Sequence, residues 1–160
     1  MSNTLYIARG LPGSGKTTAI QNKMAALCTF DGTEEDFLAW QAPTLAWCEA
    51  DYFHGYPYNW KQENQANAHL FCSLSIEAHM KNNVNHVFVG NTNIKKRDYE
   101  KYINLASDYK YAVVFLVPNT PWAMDVDECL RRNVHKVPRE TIQRMKDQFE
   151  EDLRYPTEKV

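Results

Sequence analysis

An α/β fold, a parallel sheet of about four strands flanked by helices, is predicted by three features of the 160-residue sequence. Apolar runs of strand length alternate with segments of helical periodicity, which is the pattern of βαβ units. A complete glycine-rich signature, Gly10-x-x-x-x-Gly15-Lys16-Thr17, directly follows the first apolar run. Polar stretches stand at the ends of three runs, the edge where an open parallel sheet binds its ligands.

The elements can be justified in order. Thr4 to Ala8 is a short apolar run leading to glycine, as suits a buried strand opening into a turn. Lys16 to Leu27 carries Ile20, Met24 and Leu27 at helical spacing. Residues 28–44 mix turn signals with Phe37, Leu38 and Trp40 and read as a loop with a short helical turn, Glu34-Glu35-Asp36 being its solvated face. Leu45 to Ala50 is the second strand and delivers Asp51 to its C-terminal end; Glu49 is assigned to the opposite face, as a structural residue. A helix over about 62–81 places Ala66, Leu70, Leu74 and Ala78 on one stripe. His86 to Gly90 is a strand running into Asn91-Thr92-Asn93. Lys95 to Ser107 sets Tyr99, Tyr102, Ile103 and Ala106 at i, i+3, i+4 and i+7, a helix covering a sheet. Tyr111 to Val117 is the fourth strand, stopped by Pro118. Asp125 to Asn133 and Arg139 to Glu151 are helical, the second opening at Pro138 in its favoured first-turn position.

Length and composition bound the rest. A chain of 160 residues makes one compact domain, spanning 1–160, and leaves no room for two. Eighteen basic against twenty acidic residues give a net charge of −2, so there is no general attraction for a polyanion and any nucleic-acid site is local. The four cysteines, Cys28, Cys48, Cys72 and Cys129, show no metal or redox spacing and read as buried thiols. No window approaches a membrane span and no secretory leader is apparent, so the expectation is a cytoplasmic protein with no membrane partner.

The glycine signature has a definite chemistry. A triphosphate needs several N–H donors aimed at one anion, and Gly10, Gly13 and Gly15 let the chain curl tightly enough to supply them. The helix starting at Lys16 adds its positive end; Lys16 reaches the β- and γ-phosphates of ATP, and the Thr17 hydroxyl is placed for Mg²⁺. Ser14 and Thr18 complete the loop, Thr18 chiefly as helix scaffold. The pattern itself does not separate a hydrolase from a kinase. The lone Asp51 bears on that choice, because transfer to an alcohol needs a carboxylate to orient the hydroxyl and accept its proton.

Four blocks, RGLPGSGKTT, EADYFHGYPYNWKQENQANAHLFC, VFVGNTN and CLRRNVHKVPRETIQRM, give the chain a further likeness. In their order and intervals it resembles the small P-loop kinases of phage polynucleotide 5′-hydroxyl kinase type. The resemblance implies a P-loop kinase fold with a helical lid at about 125–146, with Asp51 as general base and Lys16 and Thr17 on phosphate and metal. It also implies Arg132 as a lid arginine closing over the donor phosphates, with Lys136 as a second lid cation. Two departures stand out: Gly90 and Asn91 occupy the place where relatives carry an acid, and His54 replaces the basic residue expected just after the base aspartate. Metal binding is then expected to rest on Thr17, the phosphates and water.

Charge and aromatic content address the acceptor. Residues 131–146 carry six basic residues against one acidic, and Lys95-Lys96-Arg97 form a second cluster, so both are candidates to border the cleft. Tyr52, Phe53, Tyr56, Tyr58 and Trp60 crowd the stretch after Asp51, and stacking of a base on such a ring contributes ~1–3 kcal/mol in single-strand binders. His54, Tyr58, Asn91 and Asn93 are the expected acceptor contacts. His135 sits in the lid without an assigned role. Three readings are open: an ATP- and Mg²⁺-dependent kinase acting on the 5′-OH of DNA or RNA, a kinase for a nucleoside, metabolite or hydroxymethylated base, and a regulatory nucleotide-binding module. Oligomeric state is not encoded in any of these features.

Overall fold

The computed structural model describes residues 2–160. Five strands, β1 (Thr4–Ala8), β2 (Leu45–Cys48), β3 (His86–Val89), β4 (Ala112–Val117) and β5 (Thr157–Lys159), form one sheet in the order β2-β3-β1-β4-β5. Every pairing is parallel. The α/β architecture is as expected, with one strand more than the four read from sequence. Thr157-Glu158-Lys159 contains no apolar residue, so hydropathy gives no sign of β5; it is held by backbone pairing to Phe115, Leu116 and Val117. Its charged side chains also suit an edge, where they discourage further strand addition.

Alternation along the strands splits the core in two. Leu5, Ile7, Val87, Val89, Val113 and Phe115 face the layer made by α3 (Gln65–Lys81) and α4 (Lys96–Tyr109), where Tyr99 and Tyr102 are fully buried. Tyr6, Ala8, Phe88 and Leu116 face Ile20 of α1 (Lys16–Leu27) on the other side. Burying a large apolar side chain contributes about 1.5–3 kcal/mol, so each layer is anchored by a few residues.

The buried stripe of α3 is Ala68, Cys72, Ile76 and Met80, not the expected Ala66, Leu70, Leu74 and Ala78; Leu70 and Leu74 are each about half exposed. Both sets repeat every four residues and both are apolar, so periodicity alone could not choose. Tertiary partners decide it: the Cys72 thiol accepts from the Tyr102 hydroxyl at 3.3 Å. On α4 the expected face, Tyr99, Tyr102, Ile103 and Ala106, is the buried one.

Within residues 28–44 a full turn and a half of helix, α2 (Glu34–Ala39), forms. Thr33 and Asp36 cap it reciprocally, so Asp36 is a capping group rather than only a solvated charge. A third cluster, Leu11, Ile94, Val126, Cys129 and Ile142, packs α5 (Val126–Arg132) and α6 (Arg139–Gln148) onto the glycine loop. Cys48, Cys72 and Cys129 are buried free thiols, whereas Cys28 is exposed. No described helix is long and apolar enough to cross a membrane.

Candidate functional site

Because β1 lies between β3 and β4, the loop after β1 is flanked by the segments that leave the carboxyl ends of both neighbours. From the β3 side, the Thr92 carbonyl accepts from Gly10 N at 3.0 Å. From the β4 side, Thr120 Oγ1 donates to the Ser14 carbonyl at 2.7 Å and Trp122 Nε1 to the Gly13 carbonyl at 3.2 Å. In a trans peptide the N–H points away from the preceding carbonyl, so tying the Ser14 carbonyl outward turns Gly15 N–H toward the phosphate side. The first N–H groups of α1 add to it, having no partner within the helix.

The glycines are required by geometry. Gly13 has φ 77° and a Cβ there would run into the Cys129 carbonyl of α5; Gly15, at φ 107°, caps α1 in the left-handed region. Thr17 and Thr18 are exposed on the first turn of α1, and the Ser14 hydroxyl is buried without a hydrogen-bond partner. Lys16 folds back, its Nζ donating to the Leu11 carbonyl at 3.0 Å. Burial lowers the Lys16 ammonium to about 8, while the carboxylates of Glu49 and Asp51 act in the opposite direction. It thus stays cationic at neutral pH and carries two acids within its field.

Asp51 stands in a 3₁₀ turn, Ala50–Phe53, at the carboxyl end of β2. Asn91 Oδ1 accepts from Ala50 N at 2.8 Å, fixing where that turn begins. Nδ2 of Asn91 is directed to the Tyr102 hydroxyl at 3.4 Å, so this side chain braces the turn from β3. The Asp51 carboxylate is part exposed and pairs with His135 Nε2 at 3.4 Å. The Tyr58 ring lies 4.2 Å from the His135 ring. Burial and then Asp51 push that phenol up to about 12. The lid therefore touches the candidate base through His135, a contact between residues 84 positions apart that no local pattern could announce.

Glu49 requires a correction. The sequence reading sets it on the far side of the strand from Asp51, yet residues two apart in a strand share a face, and here β2 ends at Cys48 and the chain turns at Ala50, so both acids stand at the strand's carboxyl end. Its carboxylate accepts from Trp47 Nε1 at 3.2 Å and lies against Gly90. Burial first, then the Asp51 charge, push Glu49 up to about 7, with Lys16 opposing them.

Two expected acceptor contacts point inward instead. His54 is buried and its Nε2 meets Gln65 Oε1 at 2.9 Å, an oxygen that Trp60 Nε1 also reaches at 2.8 Å. It braces the loop under Tyr58 and does not offer a ring to an acceptor. Asn93 is buried too, its Nδ2 donating to the carbonyls of Ala8 at 2.7 Å and Asn91 at 3.0 Å. It stitches β1 to β3 at the root of the glycine loop.

Arg9, which no sequence motif singles out, completes that root. Buried beneath the loop, it donates to the carbonyls of Asn93 at 2.9 Å, Ile94 at 2.9 Å and Glu150 at 2.7 Å, and its guanidinium lies over Phe149 and Tyr99. In the lid, Arg132 lies 3.7 Å over the Trp122 ring and donates to Glu128 at 2.7 Å, while Lys136 is exposed with φ 55°. Among the described residues no group of three His, Cys, Asp or Glu side chains forms a self-sufficient metal site. Thr17 and the carboxylates are hard oxygen donors, suited to a Mg²⁺ that arrives on a nucleotide and keeps several waters.

The arrangement recurs in known proteins. Human NEDD4-binding protein 2 is 27% identical over 153 residues, 95% of this chain but 8% of that protein. Mouse 2′,3′-cyclic-nucleotide 3′-phosphodiesterase is 24% identical over 150 residues, 94% of this chain and 32% of its own. The chain thus spans less than a third of either curated relative. Among solved structures, a chain of the Pnkp1/Rnl/Hen1 RNA repair complex aligns with TM-score 0.64 at 18% identity, covering 92% of this chain and 44% of that one. Kti12 of Chaetomium thermophilum in complex with ADP-AlF3 aligns with TM-score 0.59 at 18% identity, covering 97% and 88%. These likenesses give the fold, that of P-loop kinases and their kin. Residues 5–151 match the AAA domain family, and to that family the chain belongs.

Proposed function

We propose that this domain transfers the γ-phosphoryl group of ATP to a hydroxyl at the 5′ end of a nucleic acid. The observation that carries the proposal is the placement of Asp51 on the same sheet edge as the glycine loop, with its charge felt at Lys16. In that reaction the acceptor oxygen bonds to the γ-phosphorus, the bond to the ADP oxygen breaks, and Asp51 takes the hydroxyl proton. Gly13, Ser14, Gly15 and Thr18 shape the cradle, and Lys16 offsets charge on the transferring group. Arg132 and Lys136 belong to a basic segment that supplies further cations once Arg132 leaves Glu128. Thr17 would hold a Mg²⁺, which when bound would neutralise phosphate charge.

Tyr52, Tyr56 and Trp60 are exposed in the stretch that follows Asp51 and offer stacking faces to unpaired bases. The RNA repair complex among the neighbours supports a nucleic-acid acceptor. The inward turn of His54 favours a second reading, a small hydroxyl compound as acceptor, since no cation follows Asp51 to hold an acceptor phosphate. Incubation with γ-labelled ATP, Mg²⁺ and a panel of 5′-OH oligonucleotides, nucleosides and sugars decides between them. Label on oligonucleotide ends is expected; label only on monomers selects the second reading, and free phosphate alone refutes both.

A further inference from the structure

The sequence shows no acid at the end of β3, where the strand beside the glycine loop runs into Gly90 and Asn91. The structure places one there from the neighbouring strand. In the β2–β3 register Cys48 lies opposite Val89, and Gly90 N donates to the Cys48 carbonyl at 3.0 Å, so the next residue after β2, Glu49, comes abreast of Gly90. A side chain at position 90 would overlap both the Glu49 carboxylate and the Trp47 indole nitrogen. Glycine there leaves the space, the Glu49 carboxylate enters it, and the Trp47 N–H at 3.2 Å holds it in place. Asn91, the other residue in the acid's usual stretch, is committed to Ala50 N and the Tyr102 hydroxyl and has no charge to offer.

We propose that Glu49 is the acid of the nucleotide–metal site, supplied from the end of β2 into the gap at Gly90, where it orders the waters of a Mg²⁺ held by the phosphates and Thr17. The inference rests on the nucleotide-handling part of the proposed function and not on the identity of the acceptor. A carboxylate one water away suits this ion, which gives up its hydration shell reluctantly. Removing such an outer partner costs 10–100-fold in metal affinity in comparable sites. The role is distinct from that of Asp51: Glu49 acts through the metal, Asp51 on the acceptor.

The test uses the whole chain and no acceptor. Mn²⁺ is titrated into protein saturated with ADP, and free Mn²⁺ is read by electron paramagnetic resonance; ADP affinity without metal is measured in parallel. E49Q should weaken Mn²⁺ binding by about 10-fold and leave metal-free ADP affinity within about 2-fold. W47F, which keeps the acid but removes its anchor, should give a smaller loss in the same direction and serves alone if E49Q proves unfolded by circular dichroism. Mn²⁺ affinity unchanged in the folded variants overturns the assignment. Since no hydroxyl substrate is present, this result is independent of whether oligonucleotide ends accept label.

Discussion

The halves of the site proposed for donor and acceptor are built differently. Beneath the glycine loop the supports are hydrogen bonds to backbone, from buried Arg9 to three carbonyls, from buried Asn93 to two, and from half-buried Thr120 and Trp122 to one each. Around Asp51 the contacts are part exposed and run between side chains, His135 and Tyr58 foremost. Buried, satisfied polar groups are costly to disturb, whereas exposed pairs are worth little. The glycine loop is therefore the firmer half, and the face around Asp51, where the proposed acceptor would sit, is the more adjustable.

Four variants probe this contrast, from the largest effect to the smallest. Asp51→Asn should lower transfer by about 10²–10⁴-fold with nucleotide affinity nearly unchanged, because the amide keeps the shape but takes no proton; single-turnover transfer and equilibrium binding read the two separately. Arg9→Met should cost about 3 kcal/mol in unfolding free energy, since the buried bonds to the Asn93 and Ile94 carbonyls and the part-buried one to Glu150 are lost; denaturant titration measures it. Nucleotide affinity should fall along with it.

Asp152 extends the buried strut: its carboxylate accepts from the Tyr99 hydroxyl at 2.8 Å and from Arg154. The Arg154 hydrogen bonds hold this acid below the usual carboxylate range. A depressed acid stabilises the fold at pH values above its unfolded pKa, and that contribution disappears as pH falls through the folded one. Asp152→Asn should thus cost about 2 kcal/mol at neutral pH, with the gap to the parent closing below about pH 4. Thermal melts across pH 2–8 show whether it does. Finally, His135→Ala should slow transfer only a few-fold, an exposed pair being worth about 1 kcal/mol at most. A loss as large as that of Asp51→Asn would make the histidine part of the chemistry and remove the contrast.

Legibility in the sequence divides along the same line. The loop, α1 and the four apolar strands depend on local pattern, and each appears where that pattern puts it. β5 escapes because its three residues pair through backbone alone, and the α3 stripe is misplaced because two equally spaced apolar stripes compete on one helix. At the site, Lys16, Thr17 and Asp51 can be read from motif and strand end. Arg9, Glu49 and His135 cannot, since their surroundings arise only when the sheet order brings β3 between β2 and β1 and the lid folds back. Asn93 and His54 show the reverse failing: polar residues near a strand end look like ligand contacts until their hydrogen bonds are seen to point inward.

The missing side chain of Gly13 has a consequence for movement. With nothing but backbone at that position, α5 seats directly on the glycine loop, Cys129 and Asn133 within reach of it. The last turn of α5 is thereby moored to the cradle and cannot swing away without dragging the glycine-loop peptides along. Whatever travel the basic segment makes must pivot past Asn133. Its stroke is that of a short flap rather than a hinged arm.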